Sequence, residues 1–179
     1  ALAHGLPTEH PVHKAMVFMA EKVAEKSGGT MKVDIYPAEQ LGNEKECLES
    51  LQMGCVSYTR QFFKRGRITE RRYRKAYDAA RLEVSHIRHR FAARHWEDCV
   101  GSSGTLQAIE GILVNAGWSE AGITRSGLAS LEDALLSFDH IDQIDLEGLS
   151  DTRRNVILSG VAITAGIFDE LGVGIMRPS

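Results

Sequence analysis

Cys99-Val100-Gly101-Ser102-Ser103-Gly104-Thr105-Leu106 reads as a strand that passes through a glycine-rich turn into a helix. Trp96 to Val100 is the strand candidate, and Leu106, Ile109, Leu113 and Ile112 follow at helical offsets. Strand, glycine turn and helix in that order are a unit of α/β folds. The turn suits a phosphate, because backbone N–H groups at a helix N-terminus point outward. It is not a Walker loop, since no Gly-Lys-Ser/Thr follows. A second reading stays open, in which the glycines serve only the geometry of a tight turn. Gly101, Ser102, Ser103, Gly104 and Thr105 are thus the candidate phosphate- or nucleotide-binding residues.

Downstream, Thr124 can cap a helix through Phe138 that turns Leu128, Leu131, Leu135 and Leu136 inward. Ser150 can cap a short helix through Ile157, and a further helix from about Gly160 to Leu171 ends at Gly172. Val173 to Met176 reads as a final strand. The uncharged run from Val156 to Phe168 suits a buried core helix; a bilayer span needs about 20 apolar residues, and no stretch is long enough.

Upstream, Val56 to Phe63 mixes β-branched and aromatic residues, and Arg65-Gly66 makes a turn. Thr69 caps a long helix whose apolar stripe is Tyr73, Ala76, Tyr77, Ala80, Val84, Ile87 and Phe91. Residues 60–94 carry 12 Lys/Arg against 3 Asp/Glu, while residues 1–54 carry 5 against 8 and residues 95–179 carry 4 against 13. The overall net charge of −3 therefore hides a +9 block. Clustered positive charge concentrates anions, so Arg71, Arg72, Arg74, Lys75, Arg81 and Arg88 are candidate polyanion-binding residues. The alternative is a solvated helix balanced by acidic flanks. His86 and His89, one turn apart, read as a surface pair rather than a metal site.

The first 54 residues have a different character. Leu2 to Leu6 is a short apolar opening, and Pro11 stands where a helix can start. Ala15, Phe18, Met19, Val23 and Ala24 place an amphipathic helix over 12–27, ended by Gly28-Gly29. Met31, Val33 and Ile35 alternate as a strand that Pro37 stops, and Cys47, Leu48, Leu51 and Gln52 follow at helical offsets. His10 and His13 lack further ligands, and structural metal sites usually need four. Three cysteines, Cys47, Cys55 and Cys99, fit neither a disulfide framework nor a zinc site, and Cys99 reads as a small core residue.

Two resemblances follow from these residues. His4-Gly5-Leu6-Pro7, the run His10 to Ala15, Glu25-Lys26-Ser27-Gly28-Gly29, Ile35-Tyr36-Pro37 and Gln40-Leu41-Gly42 resemble the mature N-terminus of TRAP-type (DctP-like) solute-binding proteins. That resemblance implies a β-α-β-α segment of a periplasmic organic-acid binder, without the family's carboxylate-clamping arginine. Met53 to Ser57, Phe62-Phe63, Cys99 to Thr105, Ile144 to Ser150 and Ile167 to Gly172 resemble the C-terminal half of the Ppx/GppA family. Those proteins are cytoplasmic exopolyphosphatases and guanosine pentaphosphate phosphohydrolases. The resemblance implies an α/β fold, a partial actin/sugar-kinase/Hsp70-like lobe, with Gly101 to Thr105 as its phosphate loop.

The first lobe, with its catalytic glutamate and its Asp-x-Gly-Ser loop, has no counterpart in the sequence, nor has the Asp-x-Gly-Gly-Gly-Ser loop. No catalytic residue and no metal ligand is assigned, and Mg²⁺ is expected only for the intact enzymes. The two readings overlap at Glu49 to Gly54, which predicts a helix to about Gln52 and a strand from Cys55. The expected domains are 1–54 and 55–179. Three functions are compatible with this: a partial phosphohydrolase lobe that binds polyphosphate or a phosphorylated nucleotide without turnover, a recombined chimera with no native activity, and a solute-binding remnant. Nucleic acid would bind only non-specifically, with steep salt dependence.

Overall fold

The protein is described from a computed structural model, which covers residues 2–3, 8–31, 33, 35–36 and 51–179. The chain forms two compact units, residues 1–50 and 51–179.

In the smaller unit, β1 (Leu2–Ala3) pairs in parallel with β2 (Ile35–Tyr36), in the register Leu2 to Ile35. Between them lies α1 (Pro11–Lys26). Pro11 occupies the first turn, where its missing N–H costs nothing. The His10 imidazole caps that turn by accepting from the Val12 N–H, a capping role that accounts for one half of the His-x-x-His pair. Gly28 and Gly29 take left-handed φ values of 60° and 81° and end the helix. The strand expected from Met31 is described only in part. The helix expected around Cys47 and Leu48 lies outside the described residues.

The larger unit corrects the reading of the seam. Leu51 and Gln52 are not helical, and Cys55–Phe62 is a helix, α2, instead of a strand. Its residues are β-branched and aromatic, but its period is helical. Tyr58 and Phe62 sit four apart and stack edge to face, with ring centroids 5.1 Å apart. Val56 is left exposed, while the Thr59 hydroxyl meets the Ser159 hydroxyl at 2.8 Å. Tertiary packing thus overrides strand propensity here.

A turn at Lys64–Gly66 puts Arg65 at φ 57° and Gly66 at φ 68°. The His140 ring closes over it, its Nε2 2.7 Å from the Arg65 carbonyl. The next helix, α3 (Glu70–Ser85), is capped by the Thr69 hydroxyl, which accepts from the Arg72 N–H. Tyr73, Ala76, Ala80 and Val84 are buried along it. The expected single helix to Phe91 is interrupted: α3 stops at Ser85, and a short α4 spans Arg88–Phe91. At the break the Ser85 hydroxyl donates back to the Leu82 carbonyl, a local bond that competes with helix propagation.

Then follow β3 (Val100–Gly101), α5 (Gly104–Asn115), β4 (Ile123–Thr124), α6 (Arg125–Leu136), α7 (Asp151–Leu171) and β5 (Ile175–Pro178). The strand before the glycine turn therefore starts at Val100 rather than Trp96, and the last strand starts at Ile175 rather than Val173. The sheet order is β3-β5-β4, with β3 parallel and β4 antiparallel to β5. The two helices expected over 150–171 are one helix of 21 residues. Gly160 does not break it, because a Cβ there would collide with the Thr105 methyl; the glycine is a packing notch. Gly172, at φ 74°, ends the helix as expected. Among the described residues no helix is long and apolar enough to cross a membrane.

Helix α7 is the axis of the unit. It packs on α2, α3, α5 and α6, and its stretch from Ile157 to Ala162 is buried. Phe63, Phe168, Ile109, Leu131 and Leu135 fill the core around it.

Candidate anion-binding site

The glycine turn is held from three sides. Ser103 caps α5, its hydroxyl accepting from the Leu106 N–H and its carbonyl from the Gln107 N–H. The N–H groups of Gly104 and Thr105 are left without an acceptor among the described residues. Thr105 is buried in the Gly160 notch, and its hydroxyl lies 3.6 Å from the Cys55 Sγ at the start of α2. Ser102 and Ser103 face solvent, and the Gly101 carbonyl accepts from the Ser179 N–H.

Arg153 is the residue that sequence reasoning missed. Its guanidinium lies against Gly104, where a Cβ would collide with it. It has no carboxylate partner among the described residues. A signal was present: Arg153 and Arg154 both stand in the first turn of α7, where the helix dipole disfavours positive charge. Arg154 is explained by its bonds to Asp151 and to the Ile144 carbonyl. Arg153 instead adds its charge to the positive end of α5. An anion at the turn would meet two unpaired amides and one unpaired guanidinium. The side chains found against Gly101, Gly104 and Thr105 include Cys55, Arg153, Leu106 and Met176; none of these is a carboxylate, so this donor set does not suit Mg²⁺.

The basic helix divides into two groups. Arg81 donates to the Glu170 carboxylate at 2.6 and 2.8 Å, and Arg88 approaches the same carboxylate at 3.6 Å. Arg74 pairs with Asp78 at 3.3 Å and covers the Tyr77 ring. By contrast Arg71, Arg72 and Lys75 line one open groove of about 530 Å³ with Arg67 and Thr69. Arg72 is fixed there by donating to the Lys64 and Arg67 carbonyls. Arg71 and Lys75 make no ion pair among the described residues. His86 caps α3 and His89 lies in α4, and no group of three His, Cys, Asp or Glu among the described residues could hold a metal ion. Cys99 is half-buried, and burial pushes its thiol up from its ordinary value.

A second polar cluster ties α3, α6 and α7 together. Tyr77 donates to Asp169 at 2.6 Å, and Arg125 donates to Asp169 at 2.9 Å and to Glu132 at 3.1 Å. Burial alone would raise Asp169, but the bonds from Arg125 and Tyr77 outweigh it and hold the carboxyl below its ordinary value. A depressed carboxyl stabilises the fold above its unfolded pKa of 3.8, and that contribution is lost as pH falls through the folded value. Acid titration of the melting temperature is therefore expected to show a loss below about pH 4 that Asp169→Asn flattens. An unchanged acid limb in the variant would remove Asp169 from this role.

A family model described as the Ppx/GppA phosphatase family matches residues 38–179. A second, for bacterial extracellular solute-binding protein family 7, matches residues 2–65, so the two matches overlap over 38–65. A guanosine-5'-triphosphate,3'-diphosphate pyrophosphatase of Vibrio parahaemolyticus is 35% identical over 162 residues, 86% of this chain and 32% of that protein. One from Aeromonas hydrophila is 37% identical over 131 residues, 73% of this chain and 26% of that protein. The chain thus spans about a third of the length of the curated relatives it matches. A crystal structure of the Aquifex aeolicus Ppx/GppA family member superposes with a TM-score of 0.60 at 18% identity, covering 92% of this chain and 66% of that one.

Proposed function

The chain belongs to the Ppx/GppA phosphatase family, and from that membership we propose that its larger unit is a phosphate-anion-binding lobe that does not hydrolyse phosphoanhydrides by itself. The observation that carries this reading is the unpaired Arg153 guanidinium against Gly104, beside the free N–H groups of Gly104 and Thr105. Charge-assisted bonds to an anion would satisfy all three. Gly101, Ser102 and Ser103 form the wall of that site, and the ligand class is polyphosphate or a phosphorylated nucleotide.

The absence of turnover rests on what hydrolysis needs. An activated water and several groups must hold the phosphoryl charge. The residues around the turn supply positive charge but no general base. Domains at 1–54 and 55–179 fit this division of labour, with residues 1–54 as a solute-binding-protein-like segment supported by the match over 2–65.

The groove of Arg67, Arg71, Arg72 and Lys75 distinguishes the two ligand classes. A long polyphosphate that engages both turn and groove gains by effective concentration, whereas one nucleotide does not. Isothermal titration of the whole chain with tripolyphosphate and with a long polyphosphate is the test. Arg153→Ala is expected to weaken tripolyphosphate binding by about tenfold. Arg71→Ala with Lys75→Ala is expected to weaken only the long polymer and to flatten its salt slope. Lack of saturable binding at physiological salt overturns the proposal, as does release of inorganic phosphate by the wild-type chain.

A further inference from the structure

The basic groove at the start of α3 depends on a turn that does not hold itself. Arg65, at φ 57°, is the one non-glycine residue with a left-handed φ among the described residues. A side chain in that region crowds its own backbone, so the conformation persists only where the surroundings hold it.

His140, 75 residues further on, supplies the hold. Its Nδ1 accepts from the Asp142 N–H at 3.3 Å, which leaves the ring proton on Nε2. Nε2 lies 2.7 Å from the Arg65 carbonyl and donates to it. The Asp142 carboxylate is also 3.3 Å from Nδ1. A doubly protonated ring would turn Nδ1 to that carboxylate and still donate from Nε2 to Arg65. The ring fills the space beside Gly66 as well, where a Cβ would lie 2.5 Å from Nε2. The two backbones are tied beside it: Arg67 and His140 form an antiparallel bridge, and the Ile68 N–H donates to the Asp139 carbonyl at 2.9 Å. Ile68 and Ile141 are both buried, which anchors this clasp in the core.

The clasp fixes Arg72. Its Nη1 donates to the Lys64 carbonyl at 2.9 Å and to the Arg67 carbonyl at 3.1 Å, one on each side of the Arg65-Gly66 turn. A guanidinium held in this way is in place before a ligand arrives, so its ordering does not count against the affinity. His140 does not line the groove and acts only through the turn.

We propose that His140 is a positioning residue for the groove of Arg67, Arg71, Arg72 and Lys75, a role that rests on that groove being the seat of a long polyphosphate. The bond from Nε2 to the Arg65 carbonyl keeps the Lys64 and Arg67 carbonyls where they anchor Arg72. The groove is thereby preformed for the polymer, while the glycine turn at Gly101 to Thr105 is untouched.

The test compares His140→Asn and His140→Gln in the whole chain, by isothermal titration with a long polyphosphate and with tripolyphosphate. Asparagine keeps an oxygen for the Asp142 N–H but has no donor at the reach of Nε2. Glutamine carries an N–H at that reach and keeps the bond to Arg65. His140→Asn is expected to weaken the long polymer by about fivefold. His140→Gln is expected to bind it as the wild type does, and neither should alter tripolyphosphate binding. Both variants lose the ring against Gly66, so a merely structural loss would strike them alike. Equal affinities of the two variants for the long polymer overturn the proposal, and so does a His140→Asn chain that fails to fold. In either case a loss in Arg71→Ala with Lys75→Ala still upholds the groove. If that double variant binds the long polymer as tightly as wild type, the groove is not its seat, and the role of His140 falls with it.

Discussion

Replacing Gly166 by leucine is expected to destabilise the larger unit by about 3 kcal/mol, seen as a fall of roughly 10 °C in melting temperature. Gly166 sits where α7 crosses α3. A Cβ there would lie 3.0 Å from the Ala80 Cβ and 3.2 Å from the Arg81 backbone nitrogen. Backbone cannot swing away as a long side chain does, so the helices themselves must separate. Ala76, Ala80, Val161 and Ala165 are all buried around this crossing. Close approach is built from small residues, and leucine would open the contact along its length. Gly111→Ala is the control of opposite sign. Its Cβ would meet nothing within 4 Å, so only the entropy term remains. That variant is expected to gain about 0.5–1 kcal/mol from helix propensity. Denaturant unfolding of the three proteins gives both numbers. A leucine variant as stable as wild type would mean that α3 and α7 do not cross at this point.

Arg81→Met is the second large effect, about 2 kcal/mol of stability. The Glu170 side chain is 7% exposed and receives two bonds from Arg81. Removal of that partner strands a buried carboxylate, and Arg88 at 3.6 Å compensates only in part. Arg81 itself is 42% exposed, which is why the expected loss is below that of a fully buried pair. Arg81→Met with Glu170→Met should recover part of the loss, since the stranded charge is then gone. Urea unfolding of the single and double variants measures this. A single variant of wild-type stability would show that Glu170 is hydrated and the pair superficial. The result also separates the two halves of the basic block. Arg81 hardly affects stability if its charge serves a ligand, and Arg71 hardly affects it if its charge does not serve the fold.

Much of the larger unit was legible in the sequence. The caps at Thr69 and Thr124 follow from the sequence, because a hydroxyl one residue before an apolar stripe is a local signal, whereas the Ser150 hydroxyl, expected to cap α7, makes no capping bond. The inward residues of α5 and α6 were read from their spacing alone, with Ile109, Ile112, Leu113, Leu128, Leu131 and Leu135 buried as the period required. The family, too, was visible in short motifs, and the match over residues 38–179 supports it.

What failed was non-local. The segment Cys55–Phe62 has strand-like composition, yet it forms a helix packed on α7 and α3. The sequence reads as one helix through Ile157 and another from about Gly160, and only the Thr105 methyl in the space a Gly160 Cβ would need shows why a glycine stands inside a single helix there. The basic block reads as one patch, yet Glu170 lies 82 residues beyond Arg88 and pairs with that residue and with Arg81. Arg153 stands 49 residues from Gly104 and was not suspected. The sequence by itself determined caps, periods and family, since those depend on neighbours within a turn or two. Which glycines are notches, which charges are neutralised and which arginine reaches the turn were decided by the tertiary structure. Those properties depend on the distance between groups far apart in the chain, and electrostatic and packing energies follow that distance rather than the order of residues.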